Sequence, residues 1–121
     1  MRAEIREKTV QVLQQARQRL QRGWCRKVFA ETAAGYRVPP YDQDACRWCL
    51  SGAVKAAAGD GSPPFCVAEA EDELRRTIES SYPDHPCWEY IPNFNDEQDS
   101  VEPVLAVVDK TIERLQSLSA E

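Results

Sequence analysis

The sequence predicts a mainly α protein, a small single-domain bundle of about four helices with a short β-hairpin after the first helix. Three observations lead to this fold class. Apolar residues recur at helical spacing in several long segments, proline and glycine clusters separate those segments, and one central stretch is rich in alanine. At 121 residues the chain is long enough for one hydrophobic core and too short for two. Residues 1–121 are therefore expected to form a single helical domain.

The first predicted helix covers residues 3–22. Its acidic residues come early and its arginines late, which suits the helix dipole. Gly23 follows the last helical residue, a position where a glycine commonly ends a helix in the left-handed conformation. One apolar stripe runs along the helix, formed by Ile5, Thr9, Leu13, Ala16 and Leu20.

Residues 27–38 are compatible with two structures. Two short runs favour β-structure, Val28–Ala30 and Tyr36–Val38. They flank a short loop that contains Gly35, a pattern typical of a β-hairpin. A continued helix as far as Ala34 is the alternative, because the loop is rich in alanine. Two prolines end whichever structure forms.

The centre of the chain, Ala45–Gly59, is predicted to be a helix capped by Asp42 or Asp44. Its small residues form one face, and Gly52 within it indicates the close approach of a neighbouring element. The first and last helices are expected to pack on this face and to enclose Cys49. The residues predicted to have structural roles are Trp24, Trp48, Cys49, Gly52 and Ala53.

Two further helices complete the bundle. The third is predicted from Ser62 to about Ser80, and the last from Ser100 onward with Pro103 in its first turn. The segment Ser81–Asp99 between them contains three prolines, so a helix or strand is not expected there. Its aromatic residues indicate a loop anchored on the core.

Charge is distributed unevenly along the chain. Residues 1–27 carry a net charge of +6, the remainder carries −11, and the total is −5. The acidic residues after position 27 would repel phosphates, so direct binding of nucleic acid is not expected. The expected partner is a protein. No segment is apolar enough for a membrane helix. The residues predicted to bind a partner are Glu69, Glu71, Asp72, Glu73, Trp88, Tyr90, Asn95 and Asp96.

The N-terminal residues carry charge without an apolar run, so no secretory signal is expected and the predicted location is the cytoplasm of a bacterium or infected cell. Five cysteines in that setting indicate thiols. A zinc site would use Cys46, Cys49, His85 and Cys87, but a second closely spaced pair is missing. Buried small side chains explain the cysteines better. No cofactor is expected, and zinc is the alternative.

Asn95 and Asp96 belong to a local cluster that could take a divalent cation, and its other members are Glu97, Asp99 and Glu102. Calcium loops alternate their ligands around a sharp glycine turn, and neither feature is present. Turn formation and capping before the last helix explain these residues better.

Four short motifs follow one another along the chain. They are Gly23-Trp24 followed by Ala30, Trp48-Cys49-x-x-Gly52-Ala53, Asn95-Asp96, and Val104-x-x-x-Val108-Asp109-x-x-Ile112. With them the chain resembles an uncharacterised family of small bacterial and phage proteins, a domain of unknown function. Members usually carry Arg-Thr in place of Asp99-Ser100 and a tryptophan in place of Phe94. Of the five cysteines, Cys49 alone belongs to the shared motifs.

The resemblance implies a small cytoplasmic protein, often encoded by phages, prophages and plasmids, with no established activity. Together with the acidic body, it favours a non-enzymatic protein that binds a host protein or nucleoprotein complex, for example as an inhibitor of host defence. The first alternative is a cysteine-dependent protein, either zinc-stabilised or thiol-reactive with Cys49 as the nucleophile. The second is a structural or assembly subunit.

Overall fold

A computed structural model describes residues 1–59 and 61–118. Helices dominate it, and a small antiparallel β-structure follows the first helix, which confirms the predicted fold class. None of the described helices is long and apolar enough to cross a membrane. The elements in chain order are α1 (Ala3–Arg22), β1 (Ala30–Glu31), β2 (Arg47–Trp48), α2 (Leu50–Ala58), α3 (Pro64–Ser81), a 3-10 turn (Pro86–Glu89), α4 (Ile91–Asp96) and α5 (Glu102–Leu118).

Helix α1 has the predicted bounds, and most of the predicted stripe faces the core. Gly23 ends the helix, and its N–H donates to the Arg19 carbonyl at 3.0 Å. The helix therefore stops at Gly23 as predicted, although the φ of −175° is extended and not left-handed. The glycine is needed for space, because a side chain there would overlap the main-chain carbonyl of Cys46.

A hairpin follows α1, as one of the two interpretations predicted. Glu31 and Arg37 form an antiparallel bridge, and the Val38 N–H donates to the Ala30 carbonyl at 3.1 Å. Gly35 takes a φ of +89° in the connecting turn, a conformation that suits glycine.

The hairpin is extended by a second pairing that the sequence did not reveal. β1 pairs with β2 in antiparallel register, with Ala30 opposite Trp48 and Glu31 opposite Arg47. The Arg47 Nε lies 2.6 Å from a Glu31 carboxylate oxygen and fixes this register. Trp24 makes a parallel bridge to Trp48 on the other side. We refer to these paired residues as the β layer: 24, 30–31, 37 and 47–48.

The predicted start of the central helix was wrong. Helix α2 begins at Leu50, because the residues before it pair with the hairpin. The Cys46 N–H donates to the Glu31 carbonyl at 3.0 Å and the Cys49 N–H to the Phe29 carbonyl at 3.2 Å. These tertiary hydrogen bonds satisfy the backbone in an extended conformation, so Cys46 and Cys49 do not share a helix face.

Cys49 is the N-cap of α2, in place of the predicted aspartates. Its Sγ accepts a hydrogen bond from the Gly52 N–H at 3.3 Å. Asp42 instead accepts the Asp44 N–H at 2.8 Å within the preceding turn. As predicted, Cys49 is enclosed, with 3% of its surface exposed.

The small face of α2 does receive a close neighbour, but that neighbour is the hairpin. Gly52 lies against the main chain of Phe29. Helix α1 packs on α2 as predicted, whereas α5 lies against α1 and α3. The placement of α5 follows from its own contacts, since Arg17 pairs with Asp109 at 2.5 Å and the Thr77 and Thr111 hydroxyls are 2.6 Å apart.

Helix α3 agrees closely with its predicted range, but Ser62 is not its cap. The Ser62 hydroxyl donates to the Ala58 carbonyl and so closes the end of α2. The expectation that no helix forms in the next segment was also wrong. Pro86 and Pro92 lie in the first turns of the 3-10 turn and α4, where a missing N–H costs little.

The aromatic residues of that segment anchor it, as predicted. Phe94 is fully buried, and its ring centroid lies 5.5 Å from that of Trp88 in an edge-to-face arrangement. Tyr82 contacts both rings, at 5.1 Å from Trp88 and 5.7 Å from Phe94. The cluster fixes α4 on the core and thereby positions the residues described next.

The Gly52→Ala substitution tests the contact between α2 and the hairpin. The new Cβ would overlap the Phe29 carbonyl oxygen and lie 2.7 Å from its carbonyl carbon, and neither main-chain atom can rotate away. We expect the free energy of unfolding to fall by at least about 2 kcal/mol, although alanine is the better helix former. Urea unfolding measures this loss.

The matched control is Ala57→Gly in the same helix, which changes helix propensity without this contact. It should cost no more than roughly 1 kcal/mol. Wild-type stability in Gly52→Ala would show that Phe29 does not pack there.

Candidate functional site

A buried asparagine joins the elements around the candidate site. Asn95 is fully buried on α4, and its Oδ1 accepts the Trp24 indole N–H at 2.8 Å and the Leu50 N–H at 3.0 Å. Its Nδ2 donates to the Cys25 carbonyl and to an Asp96 carboxylate oxygen, each at 3.1 Å. The side-chain amide therefore uses all four of its hydrogen-bonding positions.

Asp96 extends this network to a strained residue. The same carboxylate oxygen accepts the main-chain N–H of Lys27 at 2.8 Å. Lys27 has a φ of +73°, a left-handed conformation that costs a residue other than glycine about 1–3 kcal/mol. The bond to Asp96 stabilises this turn, which turns the chain from Trp24 into the hairpin.

A cleft of about 480 Å³ lies beside this network. Phe29 and Tyr90 are its exposed aromatic residues, with 44% and 62% of their surfaces accessible. Cys49 is the buried member of the lining. Apolar residues provide most of the walls, together with three charged residues. The lining consists of Lys27, Val28, Phe29, Arg37, Val38, Pro39, Pro40, Cys49, Tyr90, Pro92 and Asp96.

The charged residues of the cleft are not mutually neutralised. Within residues 1–59 and 61–118, the side chains of Lys27 and Arg37 make no hydrogen bond or ion pair. The Asp96 carboxylate is engaged by two N–H groups. Among the described residues, the cleft thus presents two cations without a partner, although the protein as a whole is acidic.

The thiols near the cleft are held in their protonated form. Burial raises the pKa of Cys49, and the Gly52 N–H only partly opposes that effect. Burial, with smaller contributions from Cys49 and Glu31, raises the pKa of Cys25 to about 12. Because the thiolate is the nucleophile, both side chains are poor nucleophiles at neutral pH.

His85 is not among the residues that line the cleft, and its ring stacks on Trp88 with centroids 3.9 Å apart. Cys87 is exposed in the neighbouring 3-10 turn, whereas Cys49 is buried. In the described part of the chain, no three His, Cys, Asp or Glu residues are grouped so that they could hold a metal ion. The four residues considered for zinc, which include Cys46, therefore form no such group there.

The predicted acidic contact residues are partly engaged within the protein. Glu73 is buried and pairs with Arg114 at 2.6 Å. Glu71 accepts the Ser51 hydroxyl at 3.0 Å and lies 3.9 Å from Lys55. Two of the four carboxylates therefore stabilise helix packing.

The other two acidic residues are more open to solvent. Asp72 is exposed and pairs with Arg75 at 2.7 Å, and Glu69 is half-buried. Among the remaining predicted contact residues, Trp88 is half-buried and its indole donates to Glu97 at 2.7 Å. Tyr90 and Asp96 line the cleft, directly beside the buried Asn95.

The residues predicted to be structural lie around the same network. Trp24 binds Asn95, the Trp48 indole donates to the Pro40 carbonyl at 3.1 Å, and Ala53 is fully buried. The sequence did not single out Phe29, Lys27 or Arg37 as site residues. A phenylalanine beside a proline-containing hairpin is visible in the sequence, but its exposure is not. The role of Lys27 depends on a bond to Asp96, 69 positions away.

The fold and the cleft define a small, mainly helical domain in which residues 27–29 and 37–40, the start of α2 and the short helix α4 border an apolar cleft. The chain belongs to the Family of unknown function (DUF6197), whose model matches residues 5–114. This range contains Asn95 and the whole cleft lining. No curated protein and no solved structure matches the chain.

Asn95→Asp tests the buried network. Aspartate keeps the shape and the two acceptor bonds, but it replaces the Nδ2 donor with an oxygen that faces the Cys25 carbonyl and the Asp96 carboxylate. We expect the free energy of unfolding to fall by about 3 kcal/mol or more, as measured by chemical denaturation. The same change at exposed Asn93 is the control. It also removes an Nδ2 donor, which bonds the Cys87 carbonyl at 3.1 Å, but water can replace this exposed bond, so the cost should be less than about 1 kcal/mol. Equal effects would contradict the network.

Thiol labelling under native conditions tests the state of the cysteines. Cys87 is exposed and should react first, whereas Cys25, Cys49 and Cys66 are buried and should react only after unfolding. Mass spectrometry of the labelled peptides identifies the order. Rapid native labelling of Cys49 would contradict this assignment and favour a thiol-reactive protein.

Proposed function

We propose that this protein is a non-enzymatic binding protein that holds a segment of a protein partner in the cleft. The observation that carries the proposal is an apolar cleft with Phe29 and Tyr90 exposed at its surface. Cavities of a few hundred Å³ with mainly apolar walls and few polar groups are typical of binding sites. Tyrosine and other aromatic residues are enriched at the centres of protein interfaces.

The rigidity of the cleft walls supports the same function. The cleft walls come from residues 27–29 and 37–40, from Cys49 at the start of α2, and from helix α4 with the preceding Tyr90. Asn95 on α4 hydrogen-bonds to the start of α2 and to the chain just before residue 27. A site that is already ordered loses less conformational entropy when it binds. Cys49, the thiol in the lining, serves as a helix cap, and its raised pKa favours a role in shape over one in nucleophilic chemistry.

The cleft is a better contact surface than the acidic residues of α3. Glu71 and Glu73 already pair within the protein, and a partner would have to compete with those bonds. Tyr90 and Asp96 were predicted to bind a partner and lie in the cleft lining. The proposal therefore keeps the aromatic part of the predicted surface and reduces the role of the acidic part.

The class of partner and the cellular setting are proposed on the basis of the sequence. The net charge of −5 favours a protein over a nucleic acid. A cytoplasmic location, a phage or mobile-element origin and a target in a host defence complex are part of the proposal and rest on the sequence. A structural or assembly subunit is the competing function, and a stable oligomer in a solution mass measurement would favour it.

Tyr90→Ala tests the proposed function. The immobilised protein is exposed to a lysate of its source cells, the retained protein is identified and purified, and its Kd is measured by calorimetry. Loss of an interface aromatic of this kind should raise the Kd by roughly 30-fold, which corresponds to about 2 kcal/mol.

Tyr36→Ala is the matched control, because Tyr36 is 73% exposed on the neighbouring hairpin and does not line the cleft. Its Kd should equal that of the wild type. Unchanged binding by Tyr90→Ala would remove the cleft as the contact surface.

A further inference from the structure

The charges of the cleft restrict what it can hold. Lys27 and Arg37 are unpaired within the described residues, and the nearby Asp96 carboxylate is already bound by two N–H groups. An occupant with a carboxylate would complement both cations, whereas a basic occupant would be repelled by them. The apolar walls require that this carboxylate lie next to apolar groups.

The cleft also borders an open sheet edge. The Tyr36 carbonyl accepts the Thr32 N–H, and the Val38 N–H donates to the Ala30 carbonyl. Because backbone groups alternate along a strand, the N–H and carbonyl of Arg37 point away from β1, towards the open side. An extended peptide can pair with such groups, a common mode of peptide recognition.

The prolines limit how far this pairing extends. Val38 turns its N–H towards β1, and the following Pro39 and Pro40 have no N–H to donate. The open edge therefore offers the backbone groups of Arg37 and ends there. The specificity of a bound segment must therefore come mainly from its side chains. Both the Arg37 side chain and the aromatic residues lie within reach, because they line the same cavity.

We infer that the segment held in the cleft is an acidic peptide in extended conformation. Its carboxylate pairs with Arg37 and Lys27, and its apolar neighbours pack against Phe29 and Tyr90. The inference rests on the proposed function and adds the chemistry of the partner segment. A polyanion such as nucleic acid fits less well, because it requires many clustered cations and the cleft has two within an acidic protein.

A peptide library supplies a defined probe. Random twelve-residue peptides displayed on phage are selected on the immobilised wild-type protein, and the enriched sequences are synthesised for measurement of their Kd. We expect Asp or Glu next to apolar residues in the enriched sequences. We also expect the Kd to rise by about tenfold or more in Arg37→Glu, the change that corresponds to a lost charge pair of about 1.4 kcal/mol.

Two further variants distinguish an effect of charge on peptide binding from an effect on folding. Lys27→Gly removes the charge and suits the left-handed backbone, so it should weaken binding while the fold stays at least as stable. Lys110→Glu is the control for charge reversal, because Lys110 is exposed on α5 and does not line the cleft. A peptide with its acidic residue changed to Lys should regain affinity for Arg37→Glu, which identifies the pair directly.

The outcomes distinguish this inference from the proposed function. Peptides that lack an acidic preference, or that bind Arg37→Glu as tightly as the wild type yet fail to bind Tyr90→Ala, would overturn the inference and leave the proposed function in place. Selection of no peptide would also overturn the inference. Peptides whose binding is insensitive to both Tyr90→Ala and Arg37→Glu would overturn both, because they bind elsewhere.

Discussion

The side-chain amide of Asn95 is the interaction on which the rest of the structure depends. A buried amide has two donors and two acceptor positions, and each one left unmade costs about 1–3 kcal/mol. All four are used, and three of them reach groups between 45 and 71 positions away in the sequence. The elements around Asn95 must therefore assemble together, since displacement of one leaves polar groups buried without partners. The geometry of the cleft walls follows from this requirement.

Two glycines allow the main chain of neighbouring segments to pack directly against the helices. Gly23 lies against the carbonyl of Cys46, and Gly52 lies against that of Phe29, at distances that no side chain could occupy. Both contacts bring a helix or its end directly onto a main chain. The second one has a consequence for function: because the Phe29 backbone is fixed on α2, its ring is held at the surface of the cleft. The contact between Gly52 and Phe29 thus accounts both for the close backbone packing and for the position of the exposed ring.

The distribution of charge assigns different roles to the acidic and basic residues. The protein is acidic overall, yet buried or bridging carboxylates such as Glu73 and Glu71 stabilise helix contacts. The cations Lys27 and Arg37, in contrast, have no partner within the described residues and border an apolar cavity. The unpaired groups are the ones that a ligand can use, so the local surplus of positive charge at the cleft is more informative than the net charge. For a member of a family whose function is unknown, this asymmetry directs attention to the cleft.

The sequence by itself determined the parts of the fold that depend on local spacing. The apolar stripe of α1, the presence of α3 and α5, and the hairpin turn at Gly35 were predictable, because helical periodicity and turn chemistry act over a few residues. Only the tertiary structure decided where α2 begins, since Cys46 and Cys49 bond to a strand that lies 15 to 20 positions earlier. It also decided which charges remain free and which thiols are buried. These outcomes depend on hydrogen bonds and ion pairs between segments that are distant in the sequence. A single sequence does not show which of its distant segments lie close together in space.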